Sequence, residues 1–568
     1  MRLMTVPLIA AWALAACASA QQQTSATRDN GDATSTAAIT SADLRARVGI
    51  FAHDSMMGRA AGTPWNDKGT DYIARELTRL GLVPAGENGT FFQNAMARRT
   101  LQAGAVISVD GQTFEPWRDF LPRDPRDFGG SQRDLSGGAQ AVYGGSWGDT
   151  TGLITPGDAA GKVVIVTVPP LASGQPSRQA RRDVLTQRYR TAAAVVVASL
   201  DAMPAPIRQQ LAQAPPSLRV TTAGPAGGAP PLPAFWYSTR AMSEAMLGGP
   251  LAAARVGAAG RTVRGTLTWR EEIAPGRNVI AILPGRDPAV RGQYVAIGAH
   301  NDHVGFLTGS SFDHDSLRAT NLLVRPQGAE GAPRPAGEAD LQRIRTTLDS
   351  LRRRGPARRD SIFNGADDDA SGSMGMLEVA EALATAPTRP RRSVLFVWHT
   401  GEELGLFGAQ YFTDHPTVPR DSIVAQINVD MIGRGGAADT PGGGPAYVQL
   451  IGSRRLSTEL GELVEAVNRR RARPFSFDYQ YDRPGHPQQF YCRSDHYMYA
   501  RYGIPVVFMS TGGHVDYHMV TDEPQYIDYD KLREVTQFIH DVALQIANRP
   551  ARLVVDKPRP DPRGQCVQ

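Results

Sequence analysis

The chain of 568 residues is too long for a single compact core, so two or more domains are expected. Its composition, 41% hydrophobic and 21% charged with 58 glycines and 41 prolines, is globular and turn-rich. The formal charge of +5 comes mostly from arginines set among acids, and the run Arg352-Arg353-Arg354 with Arg358-Arg359 reads as a solvated face, so no nucleic-acid partner is expected.

The first residues read as a targeting segment. Arg2 supplies the positive end, and the apolar stretch Val6 to Ala16 is too short to span a bilayer. It ends in Leu14-Ala15-Ala16-Cys17, which resembles a bacterial lipobox and implies a lipid on Cys17. Cleavage after Ala18-Ser19-Ala20 also fits the small-residue rule. Residues 1–20 are assigned to this signal and 21–40 to a polar, disordered tether. The expected location is the cell envelope, facing the outer membrane or periplasm, with a secreted or periplasmic form as the alternative. Membrane attachment is expected only through that lipid, since no later apolar run is long enough to cross a bilayer. Cys492 and Cys566 can pair in an exported chain, but the sequence does not show that they meet.

Residues 41–100 carry helical spacing: Leu44, Val48 and Phe51, then Tyr72, Ile73, Leu77 and Leu80 before Gly81. The polar stretch from His53 to Arg59 connects them. Residues 101–270 differ in style. Short β-type runs, Val163 to Val168 and Ala193 to Val197, alternate with Gly- and Pro-rich turns, so this part reads as a separate β-rich insert. From residue 271 to 549, buried-type strands alternate with helical stretches. The strands are Asn278 to Leu283, Tyr294 to Gly298, Ser393 to Trp398, Ile423 to Val429, Val448 to Ile451 and Pro505 to Met509. The helices are Gly372 to Ala386, Leu456 to Asn468 and Tyr529 to Ala547. This alternation predicts an α/β fold, a mixed and mostly parallel sheet with helices on both faces. Residues 550–568 are a tail.

In open α/β sheets, ligands gather beyond the carboxyl ends of the strands. Four of these strands lead into potential metal ligands: His300-Asn301-Asp302-His303, Gly401-Glu402-Glu403, Asp430, and His514 with His518. The segment Asp367-Asp368-Asp369 precedes a helix. Acids packed this closely repel one another and resist ionisation unless cations hold them.

These residues resemble the five ordered motifs of the co-catalytic di-zinc aminopeptidases: Gly298-Ala299-His300-x-Asp302, Gly365 to Gly372, Gly401-Glu402-Glu403-x-Gly405, Asp430-Met431 and Tyr517-His518. That family includes bacterial leucyl aminopeptidases and aminopeptidase Y, and is related to the ectodomains of glutamate carboxypeptidase and the transferrin receptor. The resemblance covers Arg277 to Arg549, with Ser41 to Gln93 similar to the N-terminal helices and Ser494-Asp495-His496 also fitting. It implies two zinc ions, Asp368 bridging both, with His300 and Asp430 completing one site and Glu403 and His518 the other. It implies that Glu402 is the general base acting on a water shared by the zincs. Asp302 is expected to hold the other ring nitrogen of His300, and Tyr517 or Tyr491 to donate to the oxyanion. Peptides are the implied substrates. The insert is similar to a protease-associated domain.

Other residues have blander readings. Asp367 and Asp369 are expected to order the loop or cap the following helix. His303, His399, His496 and His514 read as hydrogen-bonded structural histidines, because the zinc positions are filled. His53, His314, His415, His486 and His540 receive no role, and Cys492 reads as a small filler. The long interval from His303 to Asp368 contains a helical stripe of Leu341, Ile344, Leu348 and Leu351, read either as a lid or pocket wall or as a surface decoration. Three functional alternatives to an aminopeptidase stay open: a carboxypeptidase, a glutaminyl-cyclase-like enzyme, or a non-catalytic binding ectodomain.

Overall fold

The computed structural model describes residues 35–568 except 102–103, 124–132, 148–151, 169–181, 204–216, 221–231, 563 and 565. The signal, the lipobox with Cys17 and nearly all of the tether therefore lie outside the described residues. The end of the expected tether is packed instead. Ile39 is buried, the Thr40 hydroxyl caps the first helix by accepting from Asp43 N–H, and the Ser35 hydroxyl donates to Glu381 (2.5 Å).

The sheet that positions the site comprises β1 (Val83–Pro84), β2 (Phe92–Asn94), β3 (Arg277–Leu283), β4 (Tyr294–His300), β5 (Ser393–His399), β6 (Ile423–Val429), β7 (Tyr447–Ile451), β8 (Ser476–Asp478) and β9 (Val506–Ser510). Their order is β1-β3-β5-β4-β6-β9-β7-β8, with β2 also pairing with β3. The central four, β5, β4, β6 and β9, run parallel, while β3 and β7 flank them antiparallel. All four central strands therefore release their chains at the same rim.

These strands are apolar along their whole length because both faces are covered. On β3, Val279, Ala281 and Leu283 face one core, while Ile280 faces the other, the two-residue alternation of a strand. The first core packs under α1 (Ser41–Phe51), α2 (Pro64–Arg79) and the helices Gly372–Thr385, Thr458–Arg469 and Tyr529–Ala547. The second lies under Phe407–Asp414 and His496–Ala500. Trp398 of β5 is fully buried and donates its indole N–H to Ser373 O (3.0 Å), tying the strand to the helix that begins at Gly372.

The β-type runs of residues 101–270 form an eight-stranded sheet of their own. Its inner strands Leu135–Ser146, Val163–Thr167, Ala194–Ala198 and Ala234–Ser238 are parallel, with apolar cores on both faces. The chain enters this part along Met96–Leu101 and leaves it along Trp269–Ile273. These two strands pair antiparallel, with Leu101 opposite Trp269.

Cys492 and Cys566 form a disulfide, which resolves what the sequence left open and replaces the reading of Cys492 as a filler. No helix among the described residues is long and apolar enough to cross a membrane.

Candidate metal centre

Each side chain of the site is delivered by a strand end or by a loop locked to one. His300 is the last residue of β4, and Asp430 follows β6 directly. Glu402 and Glu403 follow β5 in a turn where Gly401 and Gly405 have positive φ, a conformation open to glycine at little cost. His518 arrives on the loop after β9. The loop with Asp367, Asp368 and Asp369 enters from Gly365, whose φ of 56° and close approach to His303 leave no room for a Cβ.

Asp368 lies at the centre. Its Oδ1 is 3.0 Å from His300 Nε2, and its Oδ2 is 3.1 Å from His518 Nε2. His300 Nε2 is also 3.6 Å from Asp430 Oδ1, and His518 Nε2 is 2.9 Å from Glu403 Oε2. The five residues expected as ligands thus converge as two clusters that share Asp368. The structure adds a sixth, His303, whose Nδ1 lies 2.7 Å from Glu403 Oε1 and 3.7 Å from Asp368 Oδ2. The structural reading of His303 holds in that it makes a hydrogen bond, but its partner belongs to the cluster itself.

Asp369 and Asp367 act on backbone. Asp369 accepts from the N–H groups of His300, Gly372 and Met431 (3.1, 2.9 and 3.2 Å), fixing two ligand loops and capping the helix. Asp367 accepts from Gly433 N–H (2.6 Å) and faces His514 Nε2 at 3.3 Å. Asp522 in turn accepts from the N–H groups of Asp367 and Asp368. His399 bonds Tyr499 Oη (2.9 Å) and lies 3.1 Å from Asp495, while His496 is stacked on Phe508. His399 and His514 make the structural hydrogen bonds expected of them, whereas both ring nitrogens of His496 are buried without one. Burial pushes His496 down to about 3, so it is neutral.

Two expectations are corrected. The other ring nitrogen of His300 bonds the backbone carbonyl of Asp302 (3.1 Å), not its carboxylate, which is 3.8 Å away. The tight turn after β4 curls the main chain back under the ring, and the Asp302 side chain instead accepts from Glu402 N–H (3.2 Å). Asp302 therefore orients the backbone at Glu402 rather than the ring of His300. Tyr491 is buried in the second core with Arg455 over its ring, and it is absent from the cleft lining. Tyr517 lines the cleft and stacks on His518 with ring centroids 4.0 Å apart.

Sequence reasoning missed the supports. Arg59 is fully buried and donates to the carbonyls of Phe51, Asn364 and Gly365, holding the chain just before the aspartate loop. Burial lowers its guanidinium to about 10, against the opposing pull of Asp368, Asp302 and Asp369. Asn66 donates to Asn301 Oδ1 and accepts from the Thr400 hydroxyl, bridging the turns after β4 and β5. Ser494 donates to Asp430 Oδ2 (2.8 Å). Only Ser494 had a local motif to signal it; Arg59 and Asn66 reach their partners across the fold.

The donor set fits metal ions. Imidazoles and carboxylates without thiolates suit zinc and similar divalent ions. Asp430 Oδ1, His518 Nε2 and His303 Nε2 are buried without a hydrogen bond. Burial pushes the His518 ring down, but Asp368 and Glu403 raise it to about 10. Burial would push Asp368 up, yet His300, His303 and His518 hold it well below the usual carboxylate range. A divalent cation placed among these imidazoles and carboxylates would satisfy the unbonded atoms and compensate the clustered negative charge. Glu402 is different. Burial, with Asp430 and Glu403 nearby, raises it well above the usual value, which suits a group that takes up and returns a proton.

Beside these residues opens a cleft walled by Phe490, Phe508, Met431, Ala329, Glu330 and Tyr517 among others, with Arg493 at its edge. Ala329 and Glu330 come from the interval between His303 and Asp368. The helix with the leucine stripe, Glu338–Arg352, does not reach the cleft, so the interval builds the wall with a different segment from the one the periodicity points to.

Comparison with known proteins agrees with this geometry. Residues 278–543 match Peptidase family M28. A leupeptin-inactivating enzyme of Streptomyces exfoliatus is 39% identical over 77 residues, 13% of this chain and 18% of that protein. Leucine aminopeptidase 2 of Trichophyton equinum is 31% identical over 154 residues, 27% of this chain and 28% of that protein. The chain thus spans less than a third of the length of these curated relatives. Among solved structures, an aminopeptidase from Aneurinibacillus sp. strain AM-1 aligns over 92% of this chain and 98% of its own, at 16% identity and a TM-score of 0.42. A zinc aminopeptidase from Bacillus subtilis aligns over 91% and 98%, at 15% identity and 0.43. The match to Peptidase family M28 over residues 278–543 coincides with the α/β part of the chain and contains all of the ordered motifs that converge at the site.

Proposed function

We propose that the protein is an exported aminopeptidase that holds two zinc ions and removes N-terminal residues from peptides. The observation that carries this reading is the placement of Asp368, whose two carboxylate oxygens face His300 at 3.0 Å and His518 at 3.1 Å. One carboxylate shared by two imidazole–carboxylate clusters is the arrangement that a pair of divalent ions requires. The resemblance to leucine aminopeptidase 2 of Trichophyton equinum supports the substrate class.

When bound, the zincs polarise the scissile carbonyl and lower the pKa of the attacking water. Glu402, raised by burial, takes the proton of that water at its carboxylate and delivers it to the leaving amine. Asp302 fixes the backbone of Glu402 through its N–H. The Tyr517 hydroxyl, on the cleft wall beside His518, donates to the oxygen on which charge develops. Ser494 orients Asp430 as one of the residues that would hold a zinc ion. We read residues 101–270 as a separate inserted domain, and Cys17 as the site of a lipid that holds the enzyme to the cell envelope.

The test is Glu402→Gln. The variant should retain its full zinc content while hydrolysis of leucyl-4-nitroanilide falls by about 10²–10⁴-fold. Activity that survives the substitution would refute the mechanism. N-acetylation of the substrate should abolish cleavage, whereas a carboxypeptidase would tolerate it.

A further inference from the structure

Glu330 has no part in the chemistry above, yet it occupies the cleft. It comes from the loop that follows helix His314–Val324, within the long interval between His303 and Asp368. That loop is docked firmly. Gly328 lies so close to the carbonyls of Gly513 and Asp439 that no Cβ would fit. The Gln488 side chain donates to Glu330 O (2.9 Å). Arg318 of the preceding helix meets Asp516 at 2.6 Å and stacks on Tyr526, clamping the interval to the segment that carries His518.

The Glu330 carboxylate accepts Gly513 N–H through Oε1 (2.9 Å), which fixes its direction. Among the described residues no cation stands within ion-pair distance of it; Arg493 at the cleft edge directs its guanidinium to Tyr517 Oη (3.4 Å) and the face of Phe490. The wall also offers apolar surface, from Phe490, Phe508, Met431 and Ala329, between the polar groups Ser510, Ser494 and Tyr517. Burial raises the Glu330 carboxyl, and the charge of Arg493 opposes this without forming an ion pair; a long aliphatic stem that follows the wall can bring a second positive group directly to it.

We propose that Glu330 makes this cleft selective for peptides whose N-terminal residue carries a long cationic side chain, lysine or arginine, with the stem against Phe490 and Met431 and the charge at Glu330. The inference rests on the aminopeptidase reading. It assigns a specificity-determining residue to a loop outside the metal-binding motifs.

The experiment compares lysyl, arginyl, norleucyl and leucyl 4-nitroanilides with the zinc-loaded full chain and with Glu330→Gln, which keeps the acceptor for Gly513 N–H. One hydrogen bond to a charged group corresponds to roughly a ten- to hundredfold preference of the wild-type enzyme for lysyl over norleucyl in kcat/KM. In Glu330→Gln that preference should collapse through the lysyl and arginyl values, while the norleucyl and leucyl values stay within about twofold. Equal turnover of lysyl and norleucyl substrates by the wild-type enzyme overturns the proposal without requiring any variant to fold. A uniform loss across all four substrates in Glu330→Gln also overturns it, since Glu330 would then serve the common amino group. If the wild-type enzyme cleaves none of the four, the aminopeptidase reading itself fails, and this inference with it.

Discussion

Asp368 and Glu403 differ in one respect that a metal analysis can read. Asp368 offers one oxygen to His300 and the other to His518, one in each cluster, whereas both histidines facing Glu403, His518 and His303, belong to the same cluster. Asp368→Ala should therefore lose both zinc equivalents and Glu403→Ala only one, as counted by elemental analysis after dialysis. Equal losses would contradict the bridge. The two tyrosines divide in the same way. Tyr517→Phe removes a donor in the cleft and should lower kcat by about 10²–10³-fold with KM little changed. Tyr491→Phe, buried under Arg455, should leave kcat alone. At this scale the ligands were legible because each stands in a short local motif at a strand end. The partner of His303 was not legible, because it depends on where Glu403 points, and that is set by a turn a hundred residues further on.

Among the elements, helix Glu338–Arg352 shows how periodicity finds a helix without finding its purpose. The spacing of Leu341, Ile344, Leu348 and Leu351 marked it correctly, and the structure packs it against His314–Val324 with Leu341 still exposed. Its start is held by Asp340, which accepts from both Arg334 nitrogens (2.6 and 3.0 Å) and from Gly337 N–H (2.9 Å). Arg334, and then the Gly337 bond, lower the Asp340 carboxyl from 3.8 to about 2. A carboxyl depressed on folding stabilises the folded form fully above its unfolded value and loses that contribution as pH falls through the folded one. The amides of the first turn should therefore stay protected above about pH 5, and exchange progressively faster as pH falls from about 4 to 2. Asp340→Asn should remove that dependence; a helix whose protection is equally pH-sensitive in this variant would argue against the pair. The cleft wall itself comes from Ala329 and Glu330, in a loop without periodicity or motif, so no reading of the sequence could have drawn attention to it.

For the whole molecule, the paired cysteines close a loop of 74 residues that begins at the cleft wall. The tail they secure is packed, with the Gln568 side chain accepting from Tyr491 N–H and donating to the carbonyls of Tyr481 and Arg483. Cys566→Ser should lower stability by about 2–4 kcal/mol. Hydrogen exchange should place the loosening at residues 480–493 and in the tail, and a loss spread evenly over both sheets would argue against this account. The order of strands and helices after residue 271 was legible because buried parallel strands are apolar throughout and helices are not. The packing of Arg59 and Asn66 was not, since each spans hundreds of residues to reach its partner. The direct pairing of Leu101 with Trp269 carries one more consequence. The two covalent crossings into the insert lie side by side, as the arms of a hairpin do. Everything between them leaves and returns at one place, with Ser217–Val220 as a further contact against the helix Phe407–Asp414, and an Asn-Gly turn could close the two crossing strands. The β-rich part is in this sense a cassette, exchangeable in the laboratory or in descent without rerouting the chain that builds the metal centre.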